Sequence, residues 1–268
     1  MRQQLITLLR SEGRGTRGHW LVYGIGLHTP LLFGIALVAM VQLPGFPIQL
    51  TGASLGRYLR AATLVQMAFL LIAGLWLMTA VVTFTIGEAR DRGALAFLLD
   101  RPVQRWLIVG CKWAMMSIPA VVCAWLSVPV TVTGVYGVLV AVLPDVGFGD
   151  SLSTYVTAVV PTLGGLWLIA GVGTLAVANA LTWSLVVKQR MLALAAGIVV
   201  LTLELIVTNQ QTTIGIMGFW LPIATPTFTE ADFFVFAPVR LLATLAISGG
   251  LLAVGWRAME RRDGGGRV

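Results

Sequence analysis

Long apolar runs alternate along this chain with short clusters of charge. Apolar sequence dominates at about 20–43, 59–87, 106–134, 155–187, 191–208 and 236–256. A helix needs about 20 apolar residues to cross a bilayer, and these runs meet or approach that length. They are continuous rather than alternating, so they predict helices and not barrel strands. Pro30 is expected to bend the first helix. Apolar sequence in the third run continues to Leu143, more than one span needs, which predicts a tilt or a break near Pro129. The fourth run is also long, and only Lys188-Gln189-Arg190 separates it from the fifth.

The sequence between the runs has its own patterns. Met1, Leu5 and Leu9 recur at spacing four, with Ile6 and Leu8 nearby and Arg2, Gln3 and Arg10 as the polar complement. That pattern predicts a helix lying on the membrane surface. The first long apolar run is long enough to remain as a span, so no cleavable leader is expected. Segment 209–235 is broken by Pro222 and Pro226 and carries Phe219, Trp220, Phe233, Phe234 and Phe236 around it. It is too short and broken to span, and reads either as a re-entrant hairpin covered by protein or as an interfacial aromatic loop. The expected fold is an all-α polytopic membrane protein of one transmembrane domain, 1–268. It has six transmembrane helices, an N-terminal interfacial helix in 1–19, and a cytoplasmic helix at 88–105 between spans two and three. An outer re-entrant or interfacial segment at 209–235 and a cytoplasmic tail at 257–268 complete it.

Composition agrees with this pattern. Hydrophobic residues make up 57% of the chain and charged residues 11%, where a soluble domain carries about 25% charged. The net charge of +7 is no nucleic-acid signal, because the basic residues sit beside the spans. With the N-terminus inside, all of the 18 lysines and arginines except Arg57, Arg60 and Arg240 fall on the cytoplasmic side. Asp145, Asp150, Glu230 and Asp232 fall outside. This bias predicts a multi-pass protein of the cell membrane with both termini cytoplasmic. Cys111 and Cys123 stand twelve residues apart on one helix, roughly 18 Å by helix rise and too far for a disulfide. They read as buried small apolar residues.

The stretch from Glu88 to Arg105 is the most informative. Glu88 precedes Arg92 by four residues, a favourable helix pair. Leu95, Leu98 and Leu99 give one apolar helix face, Pro102 ends the helix, and Arg105 opens the third span. An isolated helix this short is marginal in water, so it needs a surface to pack on. The chain has no ATP site of its own, since no Lys-Ser/Thr follows Gly264-Gly265-Gly266.

The pattern Gly93, Leu95, Leu98, Leu99, Pro102, Arg105 and Lys112, with an acidic residue upstream, resembles the ABC-2 family of ABC-transporter permeases. The detailed match covers the 88–112 stretch, and the six-span layout extends it to nearly the whole length. Ala94 stands where the family usually has Thr, and Asp91 lies nearer than Glu88 to the usual acidic position. The resemblance implies a non-catalytic membrane subunit, paired with a second permease subunit, identical or not, and with two copies of an ABC ATPase. The ATPase would bind ATP and Mg, so no cofactor is expected in this chain. The 88–105 stretch would be the coupling helix that enters a cleft of the ATPase. Glu88, Asp91, Arg92, Gly93, Leu95, Leu98, Leu99, Pro102 and Arg105 would carry the coupling. Family members export drugs, peptides or lipids, with the polysaccharide branch carrying different motifs. A mechanotransmission role, in which ATP drives an outer partner without a crossing substrate, is the alternative within the same family.

Glu204 is the acidic residue well within a span, and Arg240 lies at matching depth in span six. They read as a gate or substrate-path pair, as a buried ion pair fixing two spans, or, for Glu204, as a carboxylate snorkelling to the headgroups. A self-contained secondary transporter would centre on Glu204, but no inverted repeat accompanies it. An intramembrane enzyme would need a Ser/His, paired-Asp or metal constellation. With two histidines, and no aspartate deep in a span, no such nucleophile assembles and no metal site is expected at His28. Asn179 and Thr174 are expected to join helices, as is the small-residue strip Ala170, Thr174 and Ala178. Trp76, Trp113, Trp125, Trp167 and Trp183 read as packing residues or interfacial anchors.

Overall fold

A computed structural model describes residues 17–41, 55–93, 105–142, 152–156, 163–209 and 230–264. Those residues form seven helices of ten residues or more. They are α1 (Arg17–Gly26), α2 (Thr29–Val41), α3 (Leu55–Asp91), α4 (Arg105–Val142), α5 (Leu163–Val186), α6 (Arg190–Asn209) and α7 (Glu230–Gly264). A short helical turn at 152–156 precedes α5. Three helical stretches are long and apolar enough to cross a membrane: Leu55–Asp91, Trp106–Ala141 and Leu241–Glu260. Two shorter apolar stretches, Ala170–Val186 and Arg190–Leu203, accompany them. The interfacial helix expected near the N-terminus lies outside the described residues, as does 210–229 of the outer segment. Residues 230–235 of that segment belong to α7, and so does the expected tail as far as Gly264.

α5 is the central helix. It is packed by α7, by the second half of α3, by α4 and by α6. Its sequence explains the position, because it is apolar on every side and so has no face to offer water. From Ala170 to Leu185 its side chains are buried, apart from Thr174 and Trp183, which are half-buried. Small residues let its neighbours come close. Trp113 of α4 donates its indole N–H to Thr174 O at 3.1 Å. Asn179 donates to Gly197 O on α6 at 3.1 Å, a polar bond joining two helices as expected. The main core gathers Tyr23, Met78, Ile86, Met116, Leu181 and Leu201 around α5. A second cluster, Leu55, Leu59, Val132, Val135 and Leu139, sits where α3 and α4 meet near their opposite ends.

The contact of α7 with α5 depends on Gly255. A Cβ there would stand 3.3 Å from the Thr182 Cα, a backbone atom that cannot rotate away. Thr182 also donates its hydroxyl across the contact to Leu251 O at 3.0 Å. Gly255→Leu is therefore expected to lower stability by about 1–3 kcal/mol through overpacking. Gly250→Leu, on the same helix with no atom within 4 Å of its Cβ, is the control. Melting in detergent checks this, and equal losses in the two variants would contradict it.

The bend expected at Pro30 and the tilt or break expected near Pro129 fall differently. α4 runs unbroken through Pro119 and Pro129. Pro129 has no N–H for the Trp125 carbonyl four residues back, a loss that packed apolar helices tolerate because their neighbours compensate. The first helix breaks at Leu27–His28, with Pro30 just inside α2. Proline disturbs the turn before it, where its missing N–H and its ring act on the carbonyl four residues back. Cys111 and Cys123 both lie buried and unbridged on α4.

Candidate functional site

α3 ends at the border of the 88–105 stretch, and its ending is well defined. Arg92 donates its backbone N–H to Glu88 O and Gly93 donates to Arg90 O, both at 3.0 Å. Gly93 has φ +71°, the left-handed conformation that closes many helices and that glycine adopts without Cβ strain. No atom lies within 4 Å of a Cβ built on Gly93, so the backbone sign alone calls for glycine here. Glu88 to Asp91 thus form the last turn of α3, and the chain turns away at Gly93.

That last turn is bolted to the α5–α6 connection. α5 ends at Val186 and α6 begins at Arg190, so the final carbonyls of α5 lack helical partners. Arg90 serves one of them and two carbonyls of the connection that follows. Its Nη1 donates to Val187 O at 3.1 Å and to Lys188 O at 2.7 Å. Its Nη2 donates to Ser184 O. A guanidinium at a helix C-terminus also meets the negative end of the helix dipole. Beside it, Arg190 forms an ion pair with Asp91. The Arg190 side chain crosses over Gly87, where a Cβ would lie 2.5 Å from its Cδ. On the outer side of the same turn, Glu88 and Arg92 make the i,i+4 ion pair expected from their spacing.

The pairs differ in weight. Glu88–Arg92 is largely solvent-exposed and contributes at most about 0.5 kcal/mol. Asp91–Arg190 is more sheltered at Arg190 than at Asp91 and still lies at the surface. Arg90 is half-buried and spans from residue 90 to residue 188, so it carries most of the junction.

Glu88, Asp91, Arg92 and Gly93 therefore come together at one helix end. Leu95, Leu98, Leu99 and Pro102 lie outside the described residues. Arg105 opens α4, with its side chain outside them. Glu204 lies on α6 and Arg240 on α7, again without described side chains. The principal contacts of α6 are with α5 and α3, and those of α7 are with α5 and α4. Lys112 is buried near the start of α4. Trp76 and Trp125 are exposed on the helical surface, which does not gather the tryptophans into one pocket. Among the described residues no three His, Cys, Asp or Glu side chains converge as a metal site.

Sequence reading passed over Arg90, Gly87 and Arg190 as individual residues. Arg90 and Arg190 counted only toward the charge bias. No family model matches the chain, and no curated protein matches it.

Proposed function

We propose that the chain is the membrane-spanning permease subunit of an ABC transporter of the ABC-2 type, driven by a separate ATPase. Six helices cross the cell membrane with both termini cytoplasmic. The stretch that begins at Glu88 docks on the ATPase. ATP and Mg belong to that partner, and a second permease subunit completes the path. The exported substrate is drug-like, peptide or lipid-like.

One observation carries this reading. A docking segment transmits force only if its base is fixed to the helices that must move. Here the residue before Gly93 ends a helix whose last turn is held to the α5–α6 connection by Arg90 and by Asp91–Arg190. A loop that merely sets topology needs charge but no such mount. The layout also supports the proposed sidedness. The α3 end and the α5–α6 connection meet at one end, while Thr133 and Tyr155 hydrogen-bond at 2.8 Å near the other end of α4.

The test is assembly. The chain, tagged and extracted in mild detergent after co-expression with the ATP-binding subunit encoded beside it, is expected to purify as a complex with equal numbers of the two subunits. Glu88→Arg is expected to weaken that complex while the chain itself remains folded. A chain that purifies alone, or a complex indifferent to the reversal, would contradict the docking role.

A further inference from the structure

Two helices lose their regularity at one place, and one side chain joins them to a third. The first is the break between α1 and α2. His28 N bonds Ile25 O at 3.3 Å and Leu31 N bonds His28 O at 3.0 Å, both one residue short of the α-helical spacing. Three carbonyls then need other donors. The Thr29 hydroxyl donates to Gly26 O at 2.8 Å. His28 Nδ1 lies 2.6 Å from Gly24 O, a bond that places the proton on Nδ1. Leu27 O accepts from Gln66 Nε2 at 3.0 Å, across to another helix.

The second irregularity is a π-helical turn in α3, Leu70–Gly74, one turn beyond Gln66. Such turns insert one residue and often mark functional positions. Gly74 faces the joint directly, since a Cβ there would lie 3.3 Å from the Leu27 Cδ2. The third helix at the joint is α4, at its proline-bearing part, which stays helical. Gln66 Nε2 donates to Ser127 Oγ at 2.9 Å, and Thr131 donates to Gln66 Oε1 at 3.1 Å, on either side of Pro129. Gln66 is 0% exposed, and among the described residues these are the partners of its amide.

The two halves of the first helix are held differently. α1 is tied to α3 by His19 Nε2 and Thr85 Oγ1 at 2.8 Å, and it places Tyr23 in the main core. The described side chains of α2 beyond Thr29 are apolar. It meets α4 through Leu31 against Gly134 and through Gly34, where a Cβ would lie 2.9 Å from the Val135 Cγ2. Such a contact of apolar side chains with glycine backbone has no directional bond to break as it slides.

We propose that Leu27–His28 is a hinge about which α2 swings along α4, and that Gln66 is the latch that holds it closed. The amide pins Leu27 O, a carbonyl of the joint that belongs to neither half-helix. Releasing it frees α2 without loosening α1. This inference concerns the first helix alone and stands apart from the docking of an ATPase.

Spin-label distances in nanodiscs test it. Labels at Leu32 and Val199 report α2 against α6, and labels at Leu21 and Val199 report α1 against α6. All three positions are exposed. Cys111 and Cys123 are replaced by alanine, and labelled chains are diluted with unlabelled ones. Gln66→Leu is expected to raise a second Leu32–Val199 distance population about tenfold, the weight of one net buried hydrogen bond. The Leu21–Val199 distance should keep its single population. Pro30→Ala, which returns an N–H to the joint, should do the reverse and sharpen the Leu32 distance. Unchanged distances in both variants, or equal broadening at Leu21 and Leu32, would overturn the hinge.

Discussion

Replacing Arg90 with alanine is expected to cost about 2 kcal/mol of stability, the range for hydrogen bonds made by a charged group. For a chain of this size that corresponds to a fall in melting temperature of roughly 4–8 °C. The same change should cut ATP-driven turnover several-fold. Arg90 alone reaches Ser184, Val187 and Lys188 together, so its removal undoes the end of α5 and the mount of the docking stretch at once. The loss stays moderate because the turn lies near water, which can solvate the freed carbonyls. Arg90→Lys separates charge from geometry. It keeps a cation at the helix end, but a single ammonium lacks the planar fork that serves carbonyls on both sides. Lysine should therefore recover part of the stability and less of the turnover. Melting in detergent and hydrolysis by the assembled complex read the two effects separately. An alanine variant equal to wild type in both would remove Arg90 from the account.

Much of the helical layout was legible from sequence because the apolar runs are continuous and the breaks carry charge. Lys188-Gln189-Arg190 marked the connection between α5 and α6 to within a few residues. The expected helix pair of Glu88 with Arg92 is present, and Asn179 joins two helices as polar groups in apolar helices tend to do. Proline was a poorer guide. At Pro30 the break falls in the preceding turn, and at Pro129 there is none. A proline in an apolar run reads the same from sequence in both places, so the pattern alone does not separate the two cases.

Contacts over long sequence separation were not legible at all. Arg90 meets partners 94 to 98 residues away. Nothing near Arg90 in sequence announces this, and a basic residue at a helix end reads equally well as a topology signal. Gln66 hid for a similar reason. It is one amide in an apolar run, and its importance follows from the freed carbonyl of Leu27 and from Ser127 and Thr131, both on α4. Gly93 lay between these extremes. It was read as part of a motif, and its φ of +71° gives a backbone reason for glycine at that position.

The second large effect is expected at Leu98, on the apolar face proposed to enter the ATPase cleft. A carboxylate there must be desolvated on docking, a cost of several kcal/mol unless a partner meets it. Leu98→Asp is expected to leave the helices intact, because the proposal reserves that face for the partner. The most direct measurement is ATP hydrolysis in lipid nanodiscs by this chain assembled with its ATPase, wild type against Leu98→Asp. The account predicts a complex whose turnover falls by tenfold or more in the variant, the loss that about 1.4 kcal/mol of coupling produces. Turnover indifferent to the aspartate, or no complex with the wild-type chain, would contradict the permease assignment.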